Sequence, residues 1–103
     1  MINAKDEMLE LLKGKEIKCA TIRHRDRWSD ERVYIALRVN YTDKEYNSFL
    51  KQLDFNYDDE QGVQQLFGTV WFKDNTWAAR GVYDWSEWWQ ILSLPDIPKE
   101  LIS

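Results

Sequence analysis

The sequence has very little of the chemistry that enzyme and metal sites need. Its 103 residues contain one cysteine and one histidine, so an internal disulfide is excluded and a zinc site would need several carboxylates. The glycine-rich phosphate loop, the G-x-S-x-G turn of hydrolases and the H-E-x-x-H helix of metalloproteases are absent. We therefore expect a protein that is not an enzyme and that has neither a cofactor nor a bound metal.

Glycine and proline are also scarce, at four and two residues, which predicts short connections between elements. No run approaches the ~18 apolar residues of a membrane helix, and the first residues lack the basic and then apolar layout of a signal peptide. We therefore expect a cytoplasmic protein without membrane contact. A net charge of −4 gives no general attraction for phosphate backbones, which argues against direct nucleic-acid binding.

Aromatic side chains are the unusual component, with six tryptophans, five tyrosines and four phenylalanines. Large rings bury more apolar surface than other side chains, and they also dominate binding hot spots. The apolar share of 44% and the charged share of 31% are ordinary for a globular protein. One hydrophobic core usually needs on the order of 100 residues, so we expect residues 1–103 to form a single small domain.

Two helices are predicted from their capping residues and apolar spacing. Asn3 can cap a helix over residues 4–13. Thr42 and Glu45 form a capping box for a second helix, which ends near Asp54. The apolar face of the second helix consists of Tyr46, Phe49, Leu50 and Leu53.

Alternating apolar residues predict strands at 15–24, 33–39, 66–72 and 77–83. Residues 86–92 fit either a strand or a helix capped by Asp84, and their aromatic and β-branched content favours the strand. The acidic stretch 54–62 is predicted to be the longest exposed loop. This order of elements predicts an α+β fold: an antiparallel sheet of four to five strands in two meanders, with two helices packed on one face.

Few residues could carry catalysis. Cys19 and His24 could pair as nucleophile and base, but their odd spacing on one strand puts their side chains on opposite faces. Asp84 and Glu87 could form an acid and base pair, although capping of a turn or helix explains them as well. The acidic residues 58–60 lack the spacing and the central glycine of a calcium loop.

Two regions could bind a partner. In the connection after the first strand, Arg25, Arg27 and Trp28 could touch phosphates, stack on a base or bind an acidic protein. The acidic residues Asp26, Asp30 and Glu31 dilute their charge. In the C-terminal half, cross-strand rings could form either a packed core or an exposed anchor surface with a cation–π contact. The candidate residues of this second region are Trp77, Arg80, Tyr83, Trp85, Glu87, Trp88 and Trp89.

The predicted architecture leaves one face of the sheet without helices. Tryptophans crowded between residues 71 and 89 must point to both faces, because side chains alternate along a strand. We therefore expect at least one ring to be exposed in the free protein and buried by a partner. The rings concerned are Trp77, Trp85, Trp88 and Trp89.

Residues 66–98 resemble small uncharacterised proteins that bacteriophages and prophages encode. The shared features are Gly68-Thr69-Val70-Trp71-Phe72, Asp74, Thr76-Trp77, Arg80, Tyr83-Asp84, Ser86-Glu87-Trp88-Trp89, Pro95 and Ile97-Pro98. Small residues such as glycine often stand in that pattern where this sequence has Asn75 and Trp85. The resemblance implies a phage origin and a host bacterial cytoplasm, and it implies no particular activity.

Phage genes of this size commonly encode proteins that bind host machinery and inhibit it. The resemblance therefore implies a non-enzymatic inhibitor of a host protein or nucleoprotein, which includes anti-defence and anti-CRISPR roles. Two alternatives stay open. The chain could be an accessory or structural phage protein that associates with its own copy as a homodimer, or a small enzyme with a pocket that the sequence does not reveal.

Overall fold

The fold is given by a computed structural model that describes residues 1–25, 32–57, 64–83, 86–95 and 97–101. Two α-helices span Ala4–Leu11 (α1) and Asp43–Gln52 (α2). The strands of the described residues are Ile2–Asn3 (β1), Ile17–Arg25 (β2), Arg32–Leu37 (β3), Asn56–Tyr57 (β4), Leu66–Phe72 (β5), Trp77–Tyr83 (β6) and Ser86–Leu92 (β7). A short 3-10 helix, Lys99–Leu101, follows the last strand.

Both helices begin at the capping residues that the sequence predicts. The Asn3 side chain accepts a hydrogen bond from the Asp6 backbone N–H at 3.0 Å. Before α2, the Thr42 hydroxyl accepts from the Glu45 N–H at 3.2 Å, and the Glu45 carboxylate accepts from the Thr42 N–H at 3.1 Å. Arg38 donates to the same carboxylate at 2.8 Å. The Arg38 hydrogen bond, supported by the Thr42 hydrogen bond, holds the pKa of Glu45 below its ordinary value.

The main sheet has five strands in the order β3-β2-β5-β6-β7, and every neighbouring pair is antiparallel. The two predicted meanders are joined where β2 pairs with β5. β1 and β4 form a separate two-stranded antiparallel sheet. The predicted α+β class and antiparallel sheet are confirmed, and residues 86–92 form a strand rather than a helix.

Several predicted boundaries differ from the structure: the strands predicted at 15–24 and 33–39 span Ile17–Arg25 and Arg32–Leu37, and α2 ends at Gln52 rather than near Asp54. The first helix ends at Leu11 rather than at residue 13. Within the stretch that we expected to be an exposed loop, Asn56–Tyr57 forms β4, and Tyr57 is buried. The polar composition of that stretch hid a pairing with β1, whose residues lie more than fifty positions earlier in the chain. Residues 58–62 of the stretch lie outside the described part of the chain.

The buried strand residues of the main sheet all lie on one face, which we call the core face. A row of aligned partners crosses the five strands on this face: Leu37, Ala20, Val70, Ala78 and Ile91. Ile17 reaches the same face because the register of β2 shifts between Ile17 and Cys19. Such a bulge inserts one residue and reverses the alternation beyond it.

The hydrophobic core contains buried residues of both helices and of the core face in one cluster. The helices contribute Ala4, Met8, Phe49 and Leu53 to that cluster. Tyr41 stacks on Tyr46 with ring centroids 5.7 Å apart, and its hydroxyl donates to the Ile17 carbonyl at 2.8 Å. These contacts fix the start of α2 against β2. Within the described residues, neither helix has the length and apolar content that crossing a bilayer requires.

Removal of the α2 cap should measurably destabilise the fold. In Thr42→Ala the Glu45 N–H loses its side-chain acceptor, and we expect the free energy of unfolding to fall by about 1 kcal/mol. Urea melts followed by circular dichroism measure this change. Asn47→Ala, at an exposed position inside the same helix, is the matched control and should cost no stability, because alanine favours helix interiors. Equal stability of Thr42→Ala and the unmodified protein would contradict the role of the cap.

Candidate functional site

The face of the main sheet opposite the core face, which we call the open face, contains no buried residue among the described strand positions. Its side chains alternate with those of the core face along each strand. Aligned partners form three rows across it. The first row is Cys19, Trp71, Trp77 and Leu92, the second is Ala36, Thr21, Thr69, Ala79 and Gln90, and the third is Tyr34, Arg23 and Phe67.

The middle row is made mostly of small side chains, and larger side chains stand on both sides of it. Ala36, Thr21, Thr69 and Ala79 therefore form the floor of a shallow trough that runs across β3, β2, β5 and β6. Trp71 and Trp77 lie along one side of this floor, and Tyr34, Arg23 and Phe67 lie along the other. A surface of this shape can hold an extended chain.

Large rings are exposed on the open face. The exposed fraction is 40% for Trp71, 39% for Trp88, 63% for Tyr34 and 77% for Tyr83. The expectation that a tryptophan of the C-terminal strands is exposed in the free chain is therefore met by Trp88. Exposed aromatic rings gathered on one face of a small protein are typical of an interaction site.

The ring of Trp88 packs closely over its cross-strand partner Gly81. A Cβ atom at Gly81 would come within 2.8 Å of the Trp88 ring, so the absence of a side chain makes room for the indole. This close approach restricts the motion of the Trp88 ring. The ring therefore loses less conformational entropy when a partner binds to it. Trp88 is thus a preorganised aromatic side chain.

A depression of about 450 Å³ opens on this face where β5 and β6 separate. The ladder between these strands consists of three pairs, from Thr69–Ala79 to Trp71–Trp77, and the strands are unpaired beyond Thr69 and Ala79. The lining on the β5 side includes Gln64 and Phe67, and that on the β6 side includes Ala79. Gly68 keeps β5 close to β2 here, because a Cβ atom would lie 2.3 Å from the Thr21 carbonyl oxygen.

Three arginines form the basic end of the open face, and we call Arg23, Arg25 and Arg32 the arginine patch. All three are exposed, and Arg25 lies directly opposite Arg32 in the β2–β3 ladder. The guanidinium of Arg23 lies 6.0 Å from the centroid of the Phe67 ring. No aspartate or glutamate occupies the open face at the described strand positions.

On the core face, Arg80 is the centre of a buried ionic network. Its guanidinium donates to Glu87 Oε1 at 2.7 Å, to Glu7 Oε1 at 3.1 Å and to the Tyr57 hydroxyl at 2.9 Å. The side chains of Arg80 and Glu87 are 2% and 3% exposed. The Arg80 Nε has no hydrogen-bond acceptor among the described residues, and the guanidinium lies 5.1 Å from the Trp89 ring, a cation–π distance.

Glu87 also binds the backbone at the start of β5. Its Oε2 accepts from the Gln65 N–H at 2.9 Å, and its Oε1 accepts from the Leu66 N–H at 3.1 Å. These N–H groups lie where β6 has separated from β5 and offers no ladder partner. A side chain of β7 therefore replaces the missing backbone acceptors and holds the separated strands in place.

The network perturbs the titration of two of its members. Burial acts to lower the pKa of Arg80, but the charge of Glu7 and the bonds to Tyr57 and Glu87 outweigh it, so the pKa lies above its ordinary value. Burial, joined by the hydrogen bond to Glu7, raises the pKa of Tyr57 well above its ordinary range. Tyr57 therefore stays a neutral phenol that donates to Glu7 at 2.5 Å. The single guanidinium of Arg80 thus contacts two carboxylates and a phenol inside the protein.

The structure divides the predicted binding residues between the two faces. Trp77, Tyr83 and Trp88 lie on the open face, whereas Arg80, Glu87 and Trp89 lie on the core face. Of the two alternatives for this region, the exposed anchor surface does not include Arg80, because its strand parity places it with Ala78 on the core face, where its side chain is buried. Arg25 lies on the open face; the other predicted residues, Trp85, Arg27 and Trp28, lie outside the described residues.

Sequence reasoning missed several residues of the open face, namely Thr21, Arg32, Tyr34, Phe67 and Thr69. The signal that could have found them is alternation, because residues two positions apart on a strand share a face: Arg32 and Tyr34 are such a pair, and so are Phe67 and Thr69. The pairing register that brings these strands together could not be read from that alternation.

The possible nucleophile and base do not meet. His24 lies on the core face, where its ring stacks on Phe55 with centroids 4.1 Å apart, and Cys19 lies on the open face beside Trp71. Within the described ranges, no group of three or more histidine, cysteine, aspartate or glutamate side chains is arranged to hold a metal ion.

Comparisons with family models, with curated proteins and with solved structures found no match.

Neutralising Glu87 should strongly destabilise the protein. Glu87→Gln leaves the buried Arg80 guanidinium with one charged partner fewer and removes an acceptor from the β5 backbone, so we expect a loss of about 3 kcal/mol in the free energy of unfolding. Glu10→Gln is the matched control: it breaks an ion pair of similar length, 2.8 Å, whose partners are exposed, and should cost less than about 0.5 kcal/mol. Denaturant melts that give similar losses for both variants would contradict the structural role of the network.

Proposed function

We propose that this chain is a non-enzymatic binding protein that inhibits a host protein or nucleoprotein by covering it with the open face. The observation that carries the proposal is the exposure of Trp71 and Trp88 on a sheet surface that no described element covers. Aromatic rings at the centre of a surface provide most of the energy in protein interfaces. Trp88 is already held on the backbone of Gly81, which lowers the cost of binding.

The internal chemistry of the molecule supports binding rather than catalysis. The charged groups that lie close together, around Arg80, are paired inside the core and have a structural task. The depression on the open face is lined by hydroxyl, arginine and aromatic side chains, without an adjacent acid and base pair among its lining residues. A surface of this kind recognises a partner and leaves it chemically unchanged.

The resemblance of residues 66–98 to phage and prophage proteins favours a host component as the partner and inhibition as the effect. An inhibitor made in an infected bacterium acts in the host cytoplasm, and it needs a stable surface more than it needs an active site. Anti-defence proteins, including anti-CRISPR proteins, fit this description. Self-association through the open face is the competing hypothesis, since a two-fold dimer would cover the same rings.

Replacing the ring of Trp88 should weaken the capture of the partner without unfolding the chain. We expect Trp88→Ala to reduce affinity by roughly thirtyfold, which corresponds to the ~2 kcal/mol typical of an aromatic hot spot. Leu9→Ala on α1, where the side chain has a nearly equal exposure of 40%, is the matched control and should bind normally. Affinity is measured on the protein that the tagged chain retains from a bacterial lysate, once that protein has been identified and purified.

Light scattering during size-exclusion chromatography separates the two hypotheses. A monomer whose Trp fluorescence becomes protected from iodide in the presence of the captured protein supports inhibition of a host partner. A stable dimer in which Trp88 is already protected, and which Trp88→Ala converts into monomers, would replace the proposal with self-association. Unchanged capture by Trp88→Ala would place the interface on another surface.

A further inference from the structure

The three side chains of the arginine patch lack the carboxylate partner that several other basic side chains of the described residues have. Lys15, Arg38 and Arg80 each contact a carboxylate at 3.1 Å or less. In the described ranges, by contrast, no carboxylate lies within ion-pair distance of Arg23, Arg25 or Arg32. The described strand positions at this end of the sheet thus present positive charge, although the chain has a net charge of −4.

The position of these charges works against the stability of the free protein. Arg25 and Arg32 are direct cross-strand partners on the same face, and like charges placed opposite one another destabilise a sheet. Arg23 lies on the same face, two positions before Arg25 on β2. An anion that bridges the three guanidinium groups would remove the repulsion, because each guanidinium can donate two parallel hydrogen bonds to a phosphate group.

Planar rings stand beside the charges. Tyr34, Arg23 and Phe67 are aligned partners in one row across β3, β2 and β5. All three line the depression of about 450 Å³, together with the hydroxyl side chains Thr21 and Thr69. This volume lies within the usual range of sites that hold a small planar ligand, which is roughly 300 to 1,000 Å³. The site therefore offers ring faces, hydroxyl groups and guanidinium groups at the same place.

The trough makes this site elongated, so that it can hold an extended ligand. Its floor crosses four strands, and neighbouring strands lie about 4.8 Å apart. The floor is therefore about 14 Å long, which is long enough for a few linked units of an extended chain. Rings border the trough on both sides, and arginines border it on one side.

We propose that the arginine patch and the rings of Tyr34 and Phe67 bind a single strand of nucleic acid, with phosphates on the arginines and bases stacked on the rings. Ring stacking combined with a basic groove is the general mode of single-strand recognition, and it depends little on base sequence. A duplex has its bases hidden inside its stack, so it could use the arginines but not the rings. An acidic peptide could use the arginines but would supply no bases.

This inference rests on the proposed function and deepens it: the partner would be a nucleoprotein whose exposed strand the open face contacts. The two ideas can fail separately. Strand binding is measured on the purified chain with synthetic oligonucleotides, whereas partner capture is measured through Trp88. Binding of a protein without any binding of nucleic acid would remove the inference and leave the proposed function intact.

Fluorescence anisotropy with a labelled oligo-dT or oligo-U of about ten nucleotides tests the inference. We expect binding at low salt, with log affinity falling against log salt concentration at a slope of about −2, which is 0.7 for each of three phosphate contacts. Arg23→Gln/Arg25→Gln/Arg32→Gln should abolish binding and flatten the slope. Tyr34→Ala, at a largely exposed position, should weaken binding by roughly fivefold or more through lost stacking.

The matched control is Lys44→Gln/Lys51→Gln/Lys99→Gln, which removes the same charge from exposed positions outside the sheet and should bind nearly as the unmodified chain does. Circular dichroism melts check that the arginine variant is folded, which the removal of like charges favours. The inference is overturned if the oligonucleotides do not bind at low salt, or if both triple variants lose affinity equally. It is also overturned if duplex DNA or poly-glutamate binds as tightly as the single strand.

Discussion

The buried ion pair between Arg80 and Glu87 is the interaction on which the shape of the sheet depends. β5 and β6 stop pairing beyond Thr69 and Ala79, which would leave backbone N–H groups of β5 without acceptors. The Glu87 carboxylate accepts from two of these groups, at Gln65 and Leu66, and Arg80 neutralises its charge. A carboxylate enclosed in this way is stable only because its charge and its oxygens are both satisfied.

The same arrangement connects the interior to the surface. Because the network holds the two strands apart, a depression opens on the opposite face of the sheet, where Phe67 and Ala79 contribute to its lining. Arg80 is buried and paired with Glu87, so the sheet arginines that a partner can reach are those of β2 and β3. The open face thus acquires its positive charge from one end of the sheet and its exposed indoles from the other.

Much of the local structure could be predicted from the sequence, since it depends on neighbours in the chain. The caps at Asn3 and Thr42 are contacts across three positions, and they appear as expected. The strands at 66–72, 77–83 and 86–92 follow from alternation and from the turn between the first two. Tyr57 was missed because the two residues of β4 are stabilised by a distant strand, which leaves no local pattern.

The sequence by itself determined the α+β class, the helix starts and the surplus of rings that two short helices cannot cover. The tertiary structure decided which charged and aromatic residues belong to which face. A bulge after Ile17 reverses the parity of β2, and the pairing of β2 with β5 places Arg23 beside Phe67. Parity along a strand is a local property, but the register between strands is set by the burial of a shared face, and that requires the folded chain.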